Sequence, residues 1–87
     1  MLFLISSAPD TKEFRTSYRL AMDMGADVCL LQDAVYASRD LKNENIYVMV
    51  DDMKLRGISE SEIRGRPVDY DQLIDLMVGA DKVIGIF

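Results

Sequence analysis

The run Val28-Cys29-Leu30-Leu31-Gln32-Asp33 decides how this chain folds. From Val28 to Leu31 every side chain is apolar, a pattern that a strand with one face in water would not show. Such a run is a strand covered on both faces, and strands of that kind belong to parallel sheets lying between helices. The chemistry then changes sharply. Gln32 closes the strand, and Asp33 has the side chain to cap a short helix over residues 34–41.

Working back towards the start, residues 2–6 repeat the pattern, apolar on nearly every residue until Ser6. Pro9-Asp10-Thr11 breaks the strand. Asp10, with Glu13 three residues later, has capping-box spacing. Phe14, Tyr18, Ala21 and Met22 then recur at helical spacing, and Gly25 suits the left-handed residue beyond the helix end. Working forward, residues 42–45 are a polar loop and residues 46–50 a third strand rich in β-branched and aromatic side chains. Asp51 and Asp52 open a short helix, whose last turn carries Lys54 and Arg56 before Gly57 ends it, so both charge signs complement the helix dipole. Residues 58–66 hold a helical turn at most, started by Ser59 with Glu62. Pro67-Val68 is too brief for more than an edge strand. Asp69 caps a further helix with Gln72 at the matching position. Leu73, Leu76, Met77 and Ala80 share one face of it, Gly79 marks its end, and residues 82–87 form the closing strand. Strand and helix in alternation imply right-handed crossovers. The expectation is a three-layer α/β/α domain over residues 1–87, with a mostly parallel sheet of about five strands.

The composition excludes several functions. A net charge of −5 argues against broad contact with a nucleic-acid backbone. There is no histidine, so the usual general base and the commonest metal ligand are both absent. A single cysteine rules out an intrachain disulfide and fits a reducing, cytoplasmic setting. No stretch approaches the roughly 20 apolar residues that span a bilayer. The apolar start of the chain lacks the basic lead of a signal peptide and reads as a strand. A domain this small has a thin core, which makes oligomerisation a natural expectation.

Ligands of open parallel sheets bind beyond the carboxyl ends of the strands. Here those ends are Ser6-Ser7-Ala8, Gln32-Asp33 and Asp51-Asp52. Asp33 and Asp51 are expected as helix caps, and Ser6 and Ser7 as partners of loop backbone groups. The first turn has no glycine to admit a phosphate, and Asp10 would repel one, so no flavin or dinucleotide is expected. Asp69, Asp71 and Asp75 have spacings that do not gather three carboxylates at one point of a helix, so no metal is expected. Cys29 is the sole candidate for sulfur chemistry, and its place inside a strand reads as core.

The stretch Leu30-Leu31-Gln32-Asp33-Ala34-Val35-Tyr36-Ala37 resembles the leucine–leucine–glutamine–aspartate–glycine–valine–tyrosine motif of the DsrH/TusB family. Three further segments agree in order: Met1-Leu2 leading to a serine-containing turn, Asp51-Asp52-Met53-Lys54-Leu55-Arg56-Gly57, and Val68-Asp69-Tyr70-Asp71-Gln72-Leu73-Ile74-Asp75-Leu76. The resemblance implies a DsrE-like fold, a five-stranded parallel sheet flavodoxin-like in its layering. It implies a part in sulfur relay, in which persulfide sulfur passes between proteins towards 2-thiolation of the tRNA wobble uridine or in related sulfur metabolism. The main sulfur-carrying cysteine of such assemblies lies on a related subunit. Some DsrH members carry one near the first helix, where this chain has Phe14, Tyr18 and Arg19, and the family's glycine is Ala34 here. Three readings stand open. In the first, the chain is a supporting subunit that meets DsrE-like relatives or further copies of itself, with Gln32, Asp33 and Tyr36 shaping a contact or the rim of a partner's site. In the second, it is a sulfurtransferase that uses Cys29. In the third, it is a ligand or protein-interaction module of the same fold.

Overall fold

The computed structural model describes residues 1–41 and 45–86. Residues 42–44 of the expected polar loop, and Phe87, lie outside the described residues. Five strands form one sheet: β1 (Leu2–Ile5), β2 (Asp27–Leu30), β3 (Ile46–Met49), β4 (Arg66–Val68) and β5 (Val83–Ile86). All neighbouring pairs are parallel, in the order β4-β3-β2-β1-β5. Between them run α1 (Lys12–Asp23), a 3₁₀ helix (Gln32–Arg39), α2 (Val50–Leu55), a single 3₁₀ turn (Glu60–Glu62) and α3 (Tyr70–Gly79). The expected parallel α/β sheet is therefore present, with Arg66–Val68 as the edge strand that Pro67 permits.

The strand order dictates the layers. The first three crossovers each step one strand in the same direction. The return from β4 to β5 crosses back over β3, β2 and β1. Right-handed connections then place the first three helical segments on one face and α3 on the other. Packing agrees. Phe3, Ile5, Val28, Leu30, Ile46 and Val48 face Phe14, Ala21, Ala34, Val35, Met53 and Ile58. On the opposite face Leu2, Leu4, Cys29 and Met49 pack with Val68 and Leu73. The layers are unequal. Five strands about 4.8 Å apart span roughly 20 Å, and one helix is about 10 Å across, so α3 covers about two strands.

Local chemistry set several boundaries differently from the sequence expectation. Thr11, not Asp10, caps α1: its hydroxyl donates to the Ala8 carbonyl at 2.7 Å and accepts from the Phe14 N–H at 3.2 Å. That pair of bonds also closes the turn after β1. The capping box at α3 is as expected, with the Asp69 carboxylate accepting from the Gln72 N–H at 2.8 Å and the Gln72 side chain accepting from the Asp69 N–H at 2.9 Å. Met77, expected on the buried face of α3, is 38% exposed. Phe14 and Tyr18 stack with centroids 5.9 Å apart on α1.

Gly65 is required by a close approach. A Cβ there would lie 2.8 Å from the Ile46 carbonyl oxygen and 3.1 Å from a Val48 methyl. Backbone cannot yield cheaply, so Gly65→Ala should push β4 away from β3. The expected cost is about 1–3 kcal/mol, read as a lower midpoint in urea unfolding with an unchanged slope.

Candidate functional site at the carboxyl edge of the sheet

The carboxyl ends of β1, β2 and β3 carry the polar groups that the sequence singled out, and the centre of this edge is strained. Gln32 has φ +48°, a left-handed conformation in a residue with a side chain to accommodate. Its N–H donates to Oδ2 of Asp52 at 2.9 Å. Asp52 lies in the first turn of α2 with its carboxylate largely covered, at 13% exposure. That bond ties the end of β2 to the start of α2 and holds the strained peptide in place.

Arg56 completes the tie. Its Nε and one terminal nitrogen both donate to Oδ1 of Asp33, each at 3.0 Å. The other terminal nitrogen donates to the Asp52 carbonyl at 3.2 Å and lies 3.9 Å from Oδ1 of Asp52. Gly57, at φ +69°, turns the chain immediately after it. One guanidinium therefore clamps the 3₁₀ helix against α2 through two carboxylates, the geometry for which arginine's fixed fork is suited.

This changes the roles expected of two aspartates. Asp33 caps nothing: the 3₁₀ helix begins at Gln32, Leu31 stands at its cap position with no side-chain bond, and Asp33 is held by Arg56. Asp51 is also no cap, because Met49 occupies that position of α2 and Asp51 is exposed in the first turn. The sequence pattern placed Asp52 at this edge without a role for it, and placed Arg56 in the last turn of a short helix and not at the site. Their signal was the acidic segment ending in arginine and glycine after β3.

Gln32, Asp33 and Tyr36 lie together on one exposed rim. At three residues per turn, Asp33 and Tyr36 stand one above the other. Tyr36 is 41% exposed, while Ala34, Val35, Ala37 and Ser38 turn into the core. The rim therefore offers an amide, a carboxylate fixed by Arg56 and an aromatic ring with a polar tip, held on a rigid base.

Cys29 lies elsewhere. It is fully buried on the α3 face, in the cluster with Leu2, Leu4, Met49, Val68 and Leu73. Burial pushes its thiol up to about 12, and the Asp52 charge adds to the effect. At neutral pH it is a protonated thiol in an apolar core, the opposite of the exposed, electropositive setting that makes a reactive thiolate. Among the described residues no group of three or more histidine, cysteine, aspartate or glutamate side chains is placed to hold a metal ion. No helix among them is long and apolar enough to cross a membrane.

Comparison with known proteins agrees with the fold. The family model described as DsrH like protein matches residues 6–83. The crystal structure of the ychN protein from E. coli superposes with a TM-score of 0.82 at 21% identity, covering 97% of this chain and 96% of that one. The solution structure of protein Tm0979 from Thermotoga maritima superposes with a TM-score of 0.74 at 25% identity, covering 94% of this chain and 97% of that one. No curated protein matches the sequence.

Proposed function

The chain belongs to the DsrH-like family, and from that premise we propose that it is a non-catalytic subunit of a sulfur-relay complex. In this reading residues 1–87 act as one DsrE-like domain in the cytoplasm. The complex passes persulfide sulfur towards 2-thiolation of the tRNA wobble uridine or a related acceptor, and the sulfur-carrying thiol belongs to a DsrE-fold relative. The chain itself neither touches RNA nor needs a cofactor.

The observation that carries this reading is the separation of Cys29 from the exposed rim. The one sulfur atom able to carry persulfide is sealed in the core, while Gln32, Asp33 and Tyr36 are presented on a base that strain and the Arg56 clamp make rigid. A prearranged polar and aromatic rim loses little entropy on binding a protein partner, and an exposed tyrosine is a common anchor of such contacts.

The test is co-purification of this chain with a cysteine-bearing DsrE-fold relative, followed by titration of the pair. Stable association is expected, and Tyr36→Ala should weaken it by roughly tenfold or more. Because Tyr36 is exposed, the variant should keep its fold. A chain that binds no such relative, or one that gains persulfide mass on Cys29 when given a donor, would overturn the proposal.

A further inference from the structure

The rim holds a carboxylate oxygen and an aromatic ring that stand together and that the fold does not use. Arg56 places both of its bonds to Asp33 on Oδ1, at 3.0 Å each. Oδ2 keeps its lone pairs, and the Asp33 side chain is 60% exposed. Tyr36 stands one 3₁₀ turn further on, about 6 Å along the axis and on the same edge of the helix. Among the described residues its ring has no aromatic or cationic partner. The side-chain amide of Gln32, exposed next to Asp33, is likewise unbonded among them.

Charge points the same way. Asp33 and Asp52 share the single guanidinium of Arg56, so two carboxylates and one cation leave the clamp with a net charge of −1. The chain does not fill the position itself. Arg39, one further turn along the 3₁₀ helix, has the length to reach back to the ring, but its Nε lies 3.8 Å from Glu62 instead. The pairing is also particular to this place. Tyr70, the other exposed tyrosine on a helix, has Leu73 and Ile74 one turn on and so faces no carboxylate there.

We propose that an arginine of the partner protein completes this half-site, its guanidinium lying flat on the Tyr36 ring and donating to Oδ2 of Asp33. The proposal rests on the reading of the rim as a partner contact and names the chemistry the partner brings to it. The spacing suits a guanidinium. A cation held by a ring lies within about 6 Å of its centroid, and about 6 Å is also the step from Asp33 to Tyr36. A flat fork of N–H donors stacks on the ring while its edge reaches the carboxylate, whereas an ammonium has no such plane. Arg56 already holds Asp33 in place, so little side-chain freedom is lost when the partner's cation arrives.

The first test needs no partner. The blocked peptide acetyl-Gly-Arg-Gly-amide is titrated into the purified chain at constant ionic strength and followed by NMR. Saturable shifts are expected at the amides of residues 32–36 and at the Tyr36 ring. The citrulline peptide, of the same shape without the charge, should bind about fivefold more weakly or worse. Asp33→Asn keeps an acceptor for Arg56, and Tyr36→Leu alters an exposed ring, so both should fold, and each should weaken the arginine peptide about threefold or more. Asp51→Asn, exposed on α2 outside the pair, should change it by less than about twofold. The second test uses the complex with a cysteine-bearing DsrE-fold relative, which Asp33→Asn should weaken about tenfold at low salt and much less at high salt. Shifts that are absent, spread over the surface or equal for citrulline would overturn the proposal. So would a relative that binds Asp33→Asn as tightly as the unaltered chain, an outcome that leaves the sulfur-relay reading standing. Failure to bind any such relative counts against the relay reading instead, and the peptide titration still decides this one.

Discussion

Asp52→Ala should unfold at a markedly lower temperature than the unaltered chain, with a loss of about 2–3 kcal/mol. The carboxylate accepts the Gln32 N–H that sits in a strained turn, and it is the covered partner of Arg56. Without it the peptide at φ +48° loses the bond that fixes it, and Arg56 keeps only Asp33 and the residue-52 carbonyl. For a domain of this size that loss corresponds to roughly 10–20 °C in melting temperature. Asp51→Ala, one residue earlier and exposed, should stay within about 0.5 kcal/mol of the unaltered chain. Gln32→Gly should move the other way, gaining about 0.5–1 kcal/mol, because glycine enters the left-handed region without steric cost. Thermal melts of the three variants check the set. Equal effects of Asp51→Ala and Asp52→Ala would show that helix-end charge, not the tie to Gln32, matters.

The second large effect concerns Cys29. With its thiol held up to about 12, the folded protein at pH 8 should carry on the order of 1,000-fold less thiolate than an ordinary cysteine. Alkylation by iodoacetamide should be slower than in urea by at least that factor, since burial also blocks the reagent. The sign of the pH dependence follows. The native state holds this proton more tightly than the unfolded chain does. The stabilisation is complete below the ordinary thiol range and is lost as pH rises from about 8.5 towards about 12. Cys29→Ala should therefore show a shallower alkaline loss of stability, by up to one proton. Comparable alkylation rates in native buffer and in urea would mean that the α3 layer opens freely over β2.

Much of the fold was legible because its signals are local. Strands apolar on both faces announced β1, β2 and β3, and Pro67 demoted β4 to the edge. Asp69 with Gln72 marked the start of α3, and Gly25 and Gly57 both take the left-handed conformation that ends a helix. The mistaken caps share a cause. Asp10 and Thr11 are adjacent and both able to cap, and the choice was made by Thr11 closing the turn back to Ala8. Asp33 was claimed by an arginine 23 residues away, a contact that no local window contains. The same holds for the candidate site. Gln32, Asp33 and Tyr36 were nameable from one continuous motif, whereas the clamp that makes them rigid is assembled from a second segment. The unequal layers were hidden because helix count alone does not tell which face each helix covers. That depends on strand order, and Met77 lost its expected place in the core as a result.

The pairing of β1 with β5 has a bearing on how the protein is made. β1 lies inside the sheet, between β2 and β5, yet its second neighbour is the last strand in the sequence. On the ribosome β1 must wait, one edge unpaired, until β5 has emerged. Closing so long a loop is entropically slow, and an exposed apolar edge is open to pairing with other nascent chains. Shortening the chain before Val83 would thus leave β1 an edge strand, and the yield of soluble protein should depend on whether β5 is present.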